Sequence, residues 1–180
     1  ITTYCVYKCQ IDHNLYADNV TRTCSPTCPN ITNVTTGALI MITYADDSTK
    51  TCVSVCPAYP ALFGYNATNR CVPACTGITY ADNDTRLCVA TCFFGRTVGP
   101  NNSSKYTWAD PITNFCTRNC TRNSWADNAT YFCTQDCTLG TFADNSTWRC
   151  VALCPVNPLS FAYQPTKKCI YACPVPYFGN

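Results

Sequence analysis

The chain has 180 residues, a net charge of +2 and no Lys/Arg cluster longer than Lys167-Lys168, which excludes the electrostatic footprint of a nucleic-acid or anionic-membrane binder. Cysteine fills 18 positions and glutamate none; that composition points to a disulfide scaffold rather than an ordinary hydrophobic-core domain. With strong helix formers scarce and Thr, Tyr, Val and Phe plentiful, short strands and almost no helix are predicted.

A truncated phrase opens the chain with Thr2, Cys5 and Cys9, and the full phrase then recurs to the end. An aromatic stands eight residues before a cysteine, a threonine three before it, and a second cysteine four after it. The aromatics are Tyr16, Tyr44, Phe63, Tyr80, Trp108, Trp125, Phe142 and Phe161. The threonines are Thr21, Thr49, Thr68, Thr85, Thr113, Thr130, Thr147 and Thr166, and Cys169 with Cys173 closes the last pair. This is a tandem array of about nine Cys-x3-Cys modules, and its period governs every other reading. The approximate modules are 1–9, 10–28, 29–56, 57–75, 76–92, 93–120, 121–137, 138–154 and 155–173, with 174–180 starting another.

Successive first cysteines step by 17 or 19 residues, except for two steps of 28. The long steps hold insertions at 29–43 and 93–107, which read as loops swollen out of an otherwise regular module. Within a module, an extended piece carries the aromatic, Asp-Asn or a variant makes a turn, and a second extended piece runs into the Cys-x3-Cys corner. Pro29, Pro57, Pro155 and Pro174 follow second cysteines and end the pairing there. The predicted fold is small, disulfide-rich and mostly irregular with short β-hairpins. Units this small lean on their neighbours, so an elongated repeat rod is expected, with each aromatic covering an adjacent disulfide.

Two cysteines four apart in extended backbone lie beyond the Cα separation of about 4.4–6.8 Å that a disulfide requires. Each pair is therefore read as a junction. The simplest scheme joins the second cysteine of one pair to the first of the next: Cys9–Cys24, Cys28–Cys52, Cys56–Cys71, Cys75–Cys88, Cys92–Cys116, Cys120–Cys133, Cys137–Cys150 and Cys154–Cys169. A nested scheme, first to third and second to fourth, stays open. Zinc would favour shorter cysteine spacings or histidine partners, and the chain has only His13.

Asn-x-Ser/Thr acceptors for N-glycosylation occur at Asn19, Asn30, Asn33, Asn66, Asn83, Asn101, Asn102, Asn119, Asn128 and Asn145. Asn19, Asn66, Asn83, Asn128 and Asn145 share one repeat position, five before a first cysteine, with the recurring threonine two residues on. That threonine is either a turn residue or half of a sugar acceptor, and both readings place it on an exposed turn. Sequons and disulfides together predict a secreted or cell-surface glycoprotein with covalent N-linked glycans and no other cofactor.

No apolar run approaches the roughly 20 residues that a membrane helix needs. With neither an initiator Met nor a signal-peptide pattern, the sequence reads as a mature or excised piece whose anchor, if any, lies outside it. The two ends are complementary. If a second copy followed, Asn180-Ile1-Thr2 would form another sequon and Tyr177 would occupy the aromatic position before Cys5. This predicts self-association end to end or a continuous array, with Cys173 bonded to Cys5 of the next unit.

The phrases at Tyr80 to Cys92 and at Tyr16 to Pro29 resemble the furin-like cysteine-rich repeats of receptor ectodomains. They are closer still to the long cysteine-rich repeat proteins on the surfaces of ciliates and other protists. The resemblance implies rods of small disulfide-bonded units with second-to-first cysteine pairing, and it implies no catalytic residue.

Catalysis has little to stand on. His13 is single, and Asp18, Asp46, Asp82, Asp110, Asp127 and Asp144 recur at a turn, whereas an active site is built once. Calcium needs about six to eight oxygen ligands, more than one or two carboxylates supply. The aromatics read as packing residues rather than a sugar-stacking platform. The expectation is a non-enzymatic, disulfide-stapled and glycan-coated filament or surface coat, with no nucleic-acid or small-molecule partner. A receptor or adhesin rod is the other reading; a contiguous exposed apolar patch on 31–42 or 93–108 would favour it.

Overall fold

The computed structural model describes residue 9, residues 14–92 and 107–179, and the backbone of 96–97 and 104–105. The chain divides into two compact units, Ile1–Val89 and Ala90–Asn180. The first contains β1 (Tyr16–Asp18), β2 (Thr23–Ser25), β3 (Ile31–Thr32), β4 (Leu39–Met41), β5 (Tyr44–Asp46), β6 (Thr51–Val53), β7 (Phe63–Tyr65), β8 (Arg70–Val72), β9 (Tyr80–Asp82) and β10 (Leu87–Val89). The second contains β11 (Arg96–Thr97), β12 (Ser104–Lys105), β13 (Trp108–Asp110), β14 (Phe115–Thr117), β15 (Trp125–Asp127), β16 (Phe132–Thr134), β17 (Phe142–Asp144), β18 (Arg149–Val151), β19 (Phe161–Tyr163) and β20 (Lys168–Ile170). Among the described residues there is no helix.

Each of the eight full modules contains an antiparallel hairpin with a fixed register. The aromatic faces the residue after the cysteine, the next residue faces the cysteine itself, and the third faces the residue before it. In β15 and β16 these pairs are Trp125 with Thr134, Ala126 with Cys133 and Asp127 with Phe132. Three-residue strands are too short to stand alone, and hairpins of this size are marginal in water. They are joined by a device that the sequence reading lacked. The first strand of one module pairs in parallel with the second strand of the next, as β15 does with β18 through Ala126 and Arg149. One hydrogen bond recurs at these joints: Ala17 N–H to the Lys50 carbonyl, Ala45 to Asn69, Gly64 to Arg86, Ala109 to Tyr131, Ala126 to Trp148 and Ala143 to Lys167, all 2.8–3.0 Å. Within the first unit the strand order is β2-β1-β6-β5-β8-β7-β10-β9, and within the second β14-β13-β16-β15-β18-β17-β20-β19.

The six residues whose carbonyls accept that bond lie in the left-handed region, as do Arg22 and Asn114 at the same repeat position. Arg22, Lys50, Asn69, Arg86, Asn114, Tyr131, Trp148 and Lys167 all stand two before a first cysteine, with φ of 49–62°. Only two of these are asparagine, the residue other than glycine that tolerates this conformation best. The turn holds the others there from both sides: Lys50 N–H donates to the Asp46 carbonyl at 2.8 Å, and Tyr131 N–H to Asp127 at 2.9 Å.

The insertions, predicted as loops, each contain a two-stranded hairpin, β3 with β4 and β11 with β12. The cysteine pairing is the staggered one: the eight bonds from Cys9–Cys24 to Cys154–Cys169 are all formed, with Cα separations of 5.5–5.6 Å. The nested alternative is not adopted. Cys173 is unpaired, and Cys5 lies outside the described residues.

The recurring aspartate closes the hairpin turn from inside. Asp144 is buried; its carboxylate accepts Ser146 N–H at 2.9 Å and Thr147 Oγ1–H at 2.6 Å. Asp18 and Asp46 accept the equivalent bonds from Val20 and Thr21, and from Ser48 and Thr49. Burial alone would push these three carboxyls up, but the hydroxyl and backbone donors outweigh it and hold each below the ordinary range. A carboxyl depressed in the folded state stabilises the fold above its unfolded pKa and loses that stabilisation as pH falls through the folded value. The urea midpoint of the intact protein is therefore expected to be flat from neutrality to about pH 4 and to fall below it. Asp18→Asn, Asp46→Asn and Asp144→Asn combined should flatten that acid limb; an unchanged limb would contradict the assignment.

Candidate functional site

Among the described residues no three His, Cys, Asp or Glu side chains converge as a metal site would require. No helix among them is long and apolar enough to cross a membrane. His13 lies outside the described residues. What recurs instead is a joint between consecutive modules, built from an aromatic, a disulfide and a polar side chain on the next turn.

The aromatic supplies the packing. Trp125 lies against Cys137, Cys150 and Ala143, so the indole seals the bond that joins its module to the next. Trp108 packs on Cys120, Cys133 and Ala126, Phe63 on Cys75, Cys88 and Ala81, and Tyr16 on Cys28, Cys52 and Ala45. Tyr44 does the same with Cys56 and Cys71. Its ring lies so close to the next strand that a Cβ on Gly64 would come within 2.7 Å of it, which is why glycine stands where most modules have alanine. For these five rings the expectation that aromatics cover disulfides is met, across the joint rather than within the module.

The outer face of the ring meets a residue from the module after next. Arg70 lies over Tyr16, Arg149 over Trp108 at 4.8 Å and Lys168 over Trp125 at 5.2 Å; each stands one before a first cysteine. Leu87, at the same repeat position, packs on Tyr44. Cations on aromatic faces strengthen such contacts by about 0.5–2 kcal/mol. Repeat arrays ordinarily couple nearest neighbours only; here the coupling reaches one module further.

The polar end of the ring meets the next turn. Tyr44 Oη–H donates to Asn66 Oδ1 at 2.6 Å, Trp108 Nε1–H to Asn128 Oδ1 at 3.2 Å and Trp125 Nε1–H to Asn145 Oδ1 at 3.1 Å. Tyr16 donates to Asp47, which occupies the same position in its module. Arg70 bonds both Tyr16 Oη and Asp47 at 2.7 and 2.6 Å. The Tyr16 hydroxyl bond and the Arg70 guanidinium hold the Asp47 carboxyl well below the usual range. Sequence reading missed this acceptor role. The signal was present: the position holds Asn, Asp or Gln (Asn19, Asp47, Asn66, Asn83, Asn128, Asn145, Gln164) in every full module except the one with Pro111.

Five of the candidate sugar acceptors, Asn19, Asn66, Asn83, Asn128 and Asn145, fall on these turns. Asn19, Asn30, Asn33, Asn66, Asn83, Asn119, Asn128 and Asn145 are all exposed. Asn101, Asn102 and Asn180 lie outside the described residues. Both halves of the turn sequons have structural partners: Thr21, Thr85 and Thr147 donate to the buried aspartates, and Asn66, Asn128 and Asn145 accept from the rings. An asparagine that accepts through Oδ1 keeps Nδ2 for other chemistry, and Nδ2 is the atom that carries an N-linked sugar.

No protein-family model, curated protein or solved structure matches the chain.

Proposed function

We propose that the chain is a structural extracellular glycoprotein, a repeat unit of a disulfide-stapled, glycan-coated filament or cell-surface coat. The observation that carries this reading is the recurrence of one joint, with the same disulfide step, ring contact and backbone bond repeated along each unit. A device copied at every step resists extension and proteolysis along the whole array. Exposed sequons on its turns support a coat of sugar. Disulfides at this density belong with an oxidising compartment, which supports secretion or cell-surface display. The furin-like and protist surface repeats remain the family to which this architecture is compared, without catalytic chemistry.

Self-association is part of the proposal. After Cys173 the chain turns as it does after Cys120 and Cys137: Tyr177 N–H donates to the Pro174 carbonyl at 2.8 Å, as Ser124 does to Thr121 and Thr141 to Thr138, which puts Phe178 rather than Tyr177 level with Trp125 and Phe142. Cys173 would then bond Cys5 of a following unit. Imaging of the native material, together with glycopeptide mass spectrometry, tests this. Serially joined units that fall apart on reduction, with sugar on the turn asparagines, are expected. Unlinked units with bare asparagines would overturn the proposal.

A receptor or adhesin rod is supported by one observation. The hairpin of β3 and β4 exposes Val34, Leu39, Ile40 and Met41 together, an apolar group of the kind that marks contact surfaces.

A further inference from the structure

We propose that the aromatic of each module fixes the direction of the sugar on the next, so that the glycans at Asn66, Asn128 and Asn145 are held in register with the protein while that at Asn83 is not. This rests on the reading that these turns carry N-linked sugar and goes beyond it by assigning how the sugar is oriented. An indole N–H can only donate, so Trp108 and Trp125 accept one orientation of the carboxamide: Oδ1 inward and Nδ2 outward. Both rings are buried, Trp108 to 1% and Trp125 to 5% exposure, and each is packed on a disulfide and capped by a cation, so the donor itself has no freedom to follow the amide. A sugar on Nδ2 extends a planar amide whose other end is pinned. Tyr44 Oη–H donates to Asn66 Oδ1 in the same sense at 2.6 Å, through a hydroxyl that, unlike an indole, also accepts.

The array contains its own control. The ring that precedes Asn83 is Phe63, which has no polar hydrogen, and Asn83 Oδ1 meets only Arg86 Nη1 at a long 3.4 Å. In one module the position holds a residue that cannot carry a sugar and forms a lock instead: Asp47 accepts from Tyr16 and recruits Lys50 and Arg70.

The test is the rate at which an added N-glycan amidase, which hydrolyses the Cγ–Nδ2 bond and leaves aspartate, releases sugar from the folded, oxidised chain. Site-resolved mass spectrometry reads each conversion. Release at Asn66, Asn128 and Asn145 is expected to be slower than at Asn83. Trp125→Phe keeps the packed ring and removes the donor, so release at Asn145 alone should accelerate about fivefold, the equivalent of one neutral hydrogen bond. Phe63→Tyr adds a donor facing the next turn and should slow release at Asn83 by a similar factor. That variant decides the matter by itself should Trp125→Phe fail to be secreted. Sugar present at these sites with rates indifferent to both substitutions, or with all sites shifting together, overturns this inference and leaves the coat reading standing. Bare asparagines at all four sites overturn both.

Discussion

Replacing Cys137 and Cys150 together by serine is expected to destabilise the unit Ala90–Asn180 by about 3 kcal/mol, the closure entropy of a loop of this length. The bond spans 13 residues, and its loss also strips Trp125 of the sulfur surface on which it rests. The effect should be local. Limited proteolysis under non-reducing conditions should cut the double variant between positions 138 and 149 while the other closed loops resist. The longer bonds, Cys28–Cys52 and Cys92–Cys116 with separations of 24, should each cost slightly more to remove, since closure entropy grows with the logarithm of loop length. Full reduction should abolish the fold, because three-residue strands and a chain of small clusters leave no core able to offset the conformational entropy. Protection surviving full reduction would show that the covalent links are secondary.

Trp125→Ala should cost about 3–5 kcal/mol, the range for removing a buried large aromatic. The side chain is nearly inaccessible, its Nε1–H bonds Asn145, and Lys168 lies over its face. Alanine thus opens a cavity against a disulfide, leaves Asn145 without its inward partner and disconnects the module after next. Lys168→Ala, which removes only the cation, should cost about 1 kcal/mol. Hydrogen exchange would separate the two: Trp125→Ala should deprotect the amides of β16, β18 and β20 together, whereas Lys168→Ala should affect β20 alone. A loss confined to β15 and β16 in the Trp125→Ala variant would argue that modules are energetically independent.

Much of this joint was legible because a repeat averages out noise. The position of the aromatic, the turn at Asp-Asn and the junction role of Cys-x3-Cys followed from spacing, and the staggered pairing was one of two open schemes. What the sequence concealed is physical in each case. Three-residue strands show no alternation long enough to reveal pairing, so the parallel bond from Ala126 to Trp148 left no trace. The left-handed residue two before each first cysteine is Arg, Lys, Tyr or Trp in six modules, because tertiary bonds rather than glycine or asparagine hold it there. The hairpin in 29–43 was hidden because the segment showed only as a lengthened cysteine step between two intact copies of the phrase. The acceptor role of Asn128 and Asn145 was masked by the sugar motif that the same residues complete. Arg149 and Lys168 showed no sign of their ring partners, which lie two modules back.

A non-reduced peptide map of the secreted chain tests the covalent ladder most directly. Cleavage between cysteine pairs should yield a run of two-chain fragments, Cys120 linked to Cys133, Cys137 to Cys150, Cys154 to Cys169 and so on toward Cys9 and Cys24. Fragments joining Cys133 to Cys150 and Cys137 to Cys154, or Cys133 to Cys137 within one corner, would contradict it.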